Sequence, residues 1–261
     1  MQKRPFIYIA SLRRTGGTVL SEALTMLPYS FIFLEPNLGK NKFRIRENDH
    51  KLFLQLGIDL EEFKQKYLTE EDNSFIKIFK EELLTKLDSN IHQIGVKEIH
   101  NKGWQNYYRV FNDMKVILTA RDPRDIYISL YYRKKQGKGS WKKELTPETL
   151  STHLNNEFNR QLEMYEQVKC LRIKYEELCT DREIYQKIKT FVESEIPDTG
   201  TIGSFNAANV KRRDEYELHG NFITDKRVQR WQQEQDKSLV SEASKIIGLM
   251  PHYCDFWGYK K

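Results

Sequence analysis

Residues 6–22 constrain the fold more than any other stretch. Phe6-Ile7-Tyr8-Ile9-Ala10 is a short apolar run of strand-forming residues that leads into Ser11-Leu12-Arg13-Arg14-Thr15-Gly16-Gly17-Thr18. Leu20, Ala23, Leu24 and Leu27 then recur at helical spacing. Strand, glycine turn and helix in that order aim backbone N–H groups and a helix N-terminus at one point, where an anion is favoured. Arg13 and Arg14 add fixed positive charge at the same place. The turn is a P-loop-like phosphate cradle that departs from the ATP-binding pattern. That pattern needs a Gly-Lys-Ser/Thr triplet, whereas this turn ends Gly16-Gly17-Thr18 with no lysine.

Four more β-rich runs follow, at Ser30–Leu34, Gln93–Ile99, Lys115–Ala120 and Cys170–Lys174. Helical patterns separate or follow them at Thr18–Leu27, Leu60–Leu68, Ser74–Leu87, Trp104–Asn112, Pro123–Lys135, Pro147–Gln167 and Arg182–Glu193. This alternation predicts an α/β fold with three αβα layers and a central, mostly parallel five-stranded sheet. Ligands of such sheets sit beyond the carboxyl ends of the strands. The opening turn lies at such an end, and Glu35, Lys97, Arg121 and Tyr175 stand at or just after the ends of the other strands. A single domain over residues 1–261 is expected. Two stretches read as substrate or lid segments: the basic 36–57 (Lys40, Lys42, Arg44, Arg46, Lys51), which shows no clear period, and the glycine- and charge-rich 198–222. A last helical stretch is expected from Thr224 to Gly248.

With 261 residues and 39% hydrophobic content, the chain can bury a full core. Its 43 Lys+Arg against 37 Asp+Glu give a net charge of +6, which suits an anionic ligand without choosing one. The three cysteines, Cys170, Cys179 and Cys254, are widely spaced and read as reduced thiols, so a cytoplasmic setting is expected. The N-terminal apolar run is too short for a signal sequence. No run approaches the ~18 apolar residues of a membrane span. The six histidines lack paired ligand spacing, so no metal site is expected.

A second constellation lies at Val116-Ile117-Leu118-Thr119-Ala120-Arg121-Asp122-Pro123-Arg124-Asp125. Asp122 is a good helix N-cap and Pro123 a good first helical residue. Helix capping explains both, but it does not explain Arg121, which is free to reach a ligand together with Ser129 two turns along.

Taken together, these motifs resemble sulfotransferases that use 3′-phosphoadenosine 5′-phosphosulfate (PAPS). The Arg14-Thr15-Gly16-Gly17-Thr18 turn resembles their 5′-phosphosulfate loop. Arg121 to Ser129 looks like their 3′-phosphate motif, and Lys174-Tyr175-Glu176-Glu177-Leu178 is similar to their Tyr-Glu-Asp-Leu element. The resemblance is nearer to bacterial, carbohydrate or tyrosyl-protein members than to the cytosolic phenol type. It implies that Arg14, Thr15, Gly16, Gly17 and Thr18 wrap the 5′-phosphosulfate, while Arg13 either assists or points at the acceptor. It also implies that Arg121 and Ser129 grip the 3′-phosphate, that Tyr175 lies near the adenine, and that Lys97 touches the bridging oxygen. Glu35 stands where several relatives keep a general base. His100 is a rival base, three residues beyond Lys97 where the cytosolic enzymes have two, and Glu98 is a third. The Arg-Lys-Gly element of the cytosolic enzymes is missing, and Lys211-Arg212-Arg213 is the candidate to replace its charge.

The chemistry fits independently of the resemblance. Sulfuryl transfer needs cations where charge develops on the leaving oxygen and a carboxylate near the acceptor hydroxyl. The implied donor is PAPS, released as PAP, with no metal. The implied acceptor is a small molecule, a saccharide or a lipid-linked compound, with no nucleic acid partner and no stable membrane insertion; the oligomeric state is open. Two other readings stay in view. One is a P-loop-like nucleotide or small-molecule kinase, which shares the strand–loop–helix logic. The other is a polyanion- or RNA-binding protein, whose basic residues should form a stripe among exposed aromatics rather than follow individual strands.

Overall fold

The computed structural model describes residues 4–68, 75–87, 91–137, 141, 144–181, 183–197 and 225–260. Five strands form its sheet: β1 (Ile7–Ser11), β2 (Phe31–Leu34), β3 (Ile94–Glu98), β4 (Lys115–Ala120) and β5 (Cys170–Lys174). They lie in the order β2-β3-β1-β4-β5. Every pairing is parallel, so the expected mostly parallel sheet is wholly parallel. The side-chain alternation of β1 shows why. Ile7 and Ile9 are fully buried against one helical layer, and Tyr8 and Ala10 against the other. Burying each isoleucine contributes about 1.5–3 kcal/mol.

Helices Gly17–Ala23, Tyr175–Thr180 and Glu183–Val192 cover the first face through Leu20, Ala23, Leu178, Ile184 and Ile188. The second face carries Trp104–Val110, Pro123–Lys135, Pro147–Gln167, Lys237–Leu249 and Pro251–Trp257. The expected three layers are therefore present. After β1 the chain crosses to β2 on one side, and after β4 it crosses to β5 on the other. It diverges between β1 and β4, which is where such sheets open a ligand crevice.

Some helices differ from expectation for local reasons. The first stops at Ala23 rather than Leu27: the Ser30 hydroxyl donates to the Leu24 carbonyl at 2.7 Å, and Met26 pairs with Ser30 in a tight antiparallel bridge. The Ser74–Leu87 pattern becomes Phe75–Ile78 and Thr85–Leu87 on either side of a wider turn over Phe79–Leu84. The C-terminal stretch breaks into Arg230–Gln233 and Lys237–Leu249, because Asp236 accepts from the N–H groups of Ser238 and Leu239 and starts a new helix. Segment 36–57 holds a helix, Glu47–Gln55, and buries Leu38, Phe43 and Phe53 in an aromatic cluster with Phe31, Phe33 and Phe79. Segment 198–222, with Lys211, lies outside the described residues. Among the described residues, no helix is long and apolar enough to cross a membrane.

Candidate active site

The turn after β1 is built around close approach. Gly16 has φ +84°, and a Cβ there would lie 2.7 Å from the Tyr175 ring. A Cβ on Gly17 would lie 2.0 Å from Ser11 Oγ and 2.8 Å from Lys97 Cε. Only glycine lets the backbone pass so close over Lys97. The helix from Gly17 has Gly16 as its N-cap residue, whose lack of a side chain leaves the first N–H groups without a side-chain cap. Thr18 sits half-buried on that first turn. Thr15 is fully buried, and its hydroxyl donates to the Leu12 carbonyl at 2.8 Å and meets Thr119 Oγ1 at 2.7 Å. Its side chain pins the turn to β4.

Lys97 lies on β3 beneath this turn, 3% exposed, and its ammonium donates to Glu35 Oε1 at 2.6 Å. Glu35 directly follows β2, and its N–H donates to the Lys97 carbonyl at 2.7 Å. The two residues are thus tied by backbone and side chain. Arg44 reaches Glu35 Oε2 at 3.3 Å. Burial pushes the Glu35 carboxyl up. Lys97, then Arg44 and Arg13, outweigh that and hold it below its ordinary value.

A second cationic group lies across the crevice. Arg14, in left-handed backbone at φ +65°, donates from Nε to Ser129 Oγ at 2.9 Å. Arg121 ends its approach 4.2 Å above the Tyr175 ring, so Tyr175 lies between Gly16 and Arg121. The Arg121 guanidinium donates to Asp125 Oδ2 at 3.3 Å and to the Arg227 carbonyl, while its Nε is buried without a hydrogen-bond partner among the described residues. Burial, followed by the charges of Arg133, Arg121 and Arg227, pushes Arg14 down to about 9. Cations crowded this closely repel one another, and a bound anion relieves the repulsion.

A sequence profile of the sulfotransferase family matches residues 5–198. The chain belongs to the sulfotransferase family. The matched stretch holds the turn, Glu35, Lys97, Arg121, Ser129 and Tyr175. The fold of this sulfotransferase is similar to that of the sulfotransferase domain of the Synechococcus PCC 7002 olefin synthase, with a TM-score of 0.64 and 15% identity over 100% of this chain and 97% of that one. It is also similar to the sulfotransferase domain from the curacin biosynthetic pathway, with a TM-score of 0.66 and 14% identity over 95% and 98%. The sulfotransferase STF9 of Mycobacterium avium gives 0.51 and 14% over 97% and 76%. No curated protein sequence matches the chain. At these identities the likeness is one of fold, so the roles of side chains rest on this sulfotransferase's own geometry.

The three candidate bases have different partners. Glu35 sits on Lys97. His100 lies with Nε2 at 3.2 Å from Arg13 and Nδ1 at 3.7 Å from Glu157. Because a guanidinium only donates, Nε2 accepts, and a neutral ring carries its proton toward Glu157. Burial pushes Glu157 up, but hydrogen bonds from His100, the Asn101 N–H and Arg160 hold it down at about 2. Glu98 points to the opposite face of β3, where it bonds Tyr107 at 3.0 Å. The basic segment is partly neutralised internally: Arg46 pairs with Glu22 and Asp49, and Lys51 with Glu47.

Several contributors to the site carry no local mark in the sequence. Arg133 lies one turn beyond Ser129, and Arg227 arrives from the C-terminal segment. Tyr253 Oη accepts from the Arg121 N–H at 3.0 Å and donates to its carbonyl at 2.8 Å. Gln161 Nε2 ties the carbonyls of Ala10 and Thr119 at 2.8 and 3.2 Å. The one available signal was the polar pair Ser11 and Thr119 at the ends of apolar strands, and these two lie in register.

The lowered proton affinity of Arg14 means that folding strains its charge, a cost present below pH about 9 and relieved above it. Arg14→Gln should therefore raise the melting temperature of the ligand-free protein by ~2–4 °C, about 1 kcal/mol. The same change should abolish the stabilisation that pyrophosphate gives wild type. Melts with and without pyrophosphate check both halves; a lower ligand-free melting temperature contradicts the strain.

Proposed function

We propose that this sulfotransferase moves a sulfuryl group from PAPS to an acceptor hydroxyl, with Lys97 and Glu35 facing the reaction. The observation that carries this reading is the 2.6 Å Lys97–Glu35 contact directly beneath Gly17. The residues fit the donor. The cradle is one that a Cβ at Gly17 would fill, the Arg121 Nε has no hydrogen-bond partner among the described residues, and arginines crowd Arg14. Arg14, Thr18 and the N–H groups of Gly16 and Gly17 would hold the 5′ group, with Arg13 at its edge. Arg121, Ser129 and Arg227 would hold the 3′-phosphate. PAPS supplies the sulfuryl group, whose sulfur exchanges its bridging phosphate oxygen for the acceptor oxygen.

Lys97 sets a buried positive charge where the leaving oxygen becomes negative, a stabilisation that needs no rearrangement of solvent. Glu35, ionised at neutral pH, takes the acceptor's proton. As Lys97 turns to the leaving oxygen its hold on Glu35 weakens, and burial then raises the carboxylate's proton affinity at the moment it is used. Arg13 and Arg44 both act on Glu35, so the acceptor side is cationic. That favours a saccharide or small-molecule acceptor with an acidic group beside its hydroxyl over an uncharged lipid.

Glu35→Gln tests the reading. Turnover should fall by ~10²–10⁴-fold, while PAP affinity, read by calorimetry, stays within about twofold. In wild type, turnover should be lost only as pH falls through a value below the ordinary glutamate range. Full turnover in Glu35→Gln would pass the base role to His100.

A further inference from the structure

Glu35 and Asn37 both occupy left-handed backbone, at φ +54° and +60°, with Pro36 between them. Residues other than glycine persist there only where their surroundings fix them. The fixing group lies on the other face of β3. Glu98 follows Lys97 in the strand, so the two side chains leave on opposite faces. Its Oε1 accepts the Asn37 N–H at 2.7 Å and the Tyr107 hydroxyl at 3.0 Å. The Tyr107 oxygen accepts the Leu38 N–H at 3.1 Å. Asn37 Nδ2 in turn donates to the Glu35 carbonyl at 2.7 Å. Two N–H groups of the turn and the carbonyl of Glu35 are thus held by contacts that converge on one carboxylate.

Core packing alone does not call for a carboxylate here. Glu98 is 2% exposed, and its Oε2 has no hydrogen-bond partner among the described residues. Burial pushes its carboxyl up to about 7. A buried ionisable group left half-satisfied is costly and needs another reason.

We propose that Glu98, acting through Tyr107 and Asn37, is the positioning residue that holds Glu35 on Lys97. Consecutive residues of β3 then serve one carboxylate, Lys97 by direct contact and Glu98 through the turn. The proposal rests on Glu35 as the proton acceptor.

The test reads Glu35 itself. The side-chain carboxyl ¹³C resonance of Glu35, assigned by its loss in Glu35→Gln, is titrated in wild type, Glu98→Ala, Glu98→Gln and Tyr107→Phe. In wild type Lys97, Arg44 and Arg13 face this carboxylate and hold its titration low. Freed from Lys97 it stays buried, so its midpoint should rise by about one pH unit or more in Glu98→Ala, and by less in Tyr107→Phe. The kcat for labelled-PAPS consumption should fall ~10–100-fold in Glu98→Ala, as for other groups that orient a reacting residue, with PAP affinity unchanged. Glu98→Gln keeps an accepting oxygen and should recover most of both. If Glu98→Ala does not fold, Tyr107→Phe, which keeps the ring, decides. Unchanged Glu35 titration and kcat in Tyr107→Phe and in folded Glu98→Ala overturn the proposal. An inactive Glu35→Gln beside those unchanged variants overturns the proposal alone; a fully active Glu35→Gln overturns it together with the base assignment.

Discussion

Lys97→Met should lower sulfuryl transfer by ~10²–10³-fold, the effect of removing one preorganised donor from the site of developing negative charge. Methionine keeps an unbranched chain of similar length beneath Gly17 and removes only the charge. Two losses follow. The leaving oxygen meets no cation, and Glu35 loses its strongest partner while remaining buried. Its carboxyl then moves up, so the acid limb of the pH profile should move up with it. Lys97→Arg should not rescue, because a Gly17 Cβ would already lie within 2.8 Å of Lys97 Cε and the wider guanidinium has no room. Steady-state rates with labelled PAPS across pH check this. Activity within a few-fold of wild type in Lys97→Met would remove Lys97 from the reaction.

Arg121→Ala should weaken PAP binding by ~10²–10³-fold, about 3–4 kcal/mol, the range for losing one partner of a buried, hydrogen-bonded charge pair. The strand end itself should hold, because Tyr253 clasps the Arg121 N–H and carbonyl whatever the side chain. Truncation also leaves Asp125, whose side chain is 0% exposed, without its ion-pair partner and, among the described residues, with only the Trp231 N–H at 2.9 Å. A stability loss of about 3–5 kcal/mol is expected with it. Arg121→Ala/Asp125→Asn separates the two effects, restoring stability but not binding. Adenosine 5′-phosphate, which lacks the 3′-phosphate, should bind wild type and the double variant alike. Undiminished PAP affinity in the double variant would remove Arg121 from the donor site.

The sheet was legible because four of its strands are buried on both faces, and the exposed edge strand β5 still closes around Leu171 and Ile173. Runs such as Phe6–Ala10 and Lys115–Ala120 need no alternation to stand out from their surroundings, and all five strands fall within two residues of their expected bounds. The strand-end residues were legible for the same reason, since a polar residue that closes an apolar run is conspicuous. Lys97 and Arg121 are two such residues, and Arg14 stands in the turn that follows β1. Helix Glu47–Gln55 was not, because Arg46 gives it no side-chain cap and only Asp49 and Phe53 of its residues are buried. Long-range partners were beyond reach. Nothing local marks Arg227 as a neighbour of Arg14, Tyr253 as the clasp on Arg121, or Glu98 as the anchor of the turn after β2. The resemblance made His100 a rival base in spite of its shifted spacing, and its orientation is set by Arg13 and Glu157, far away in sequence.

The most direct measurement follows the label from [³⁵S]PAPS in the presence of a panel of acidic saccharide, small-molecule and lipid-linked hydroxyl acceptors. Sulfate should move to an acceptor with PAP formed in equal amount, and this transfer should collapse in Glu35→Gln and Lys97→Met. Intact PAPS beside magnesium-dependent loss of the γ-phosphate of ATP would contradict sulfuryl transfer.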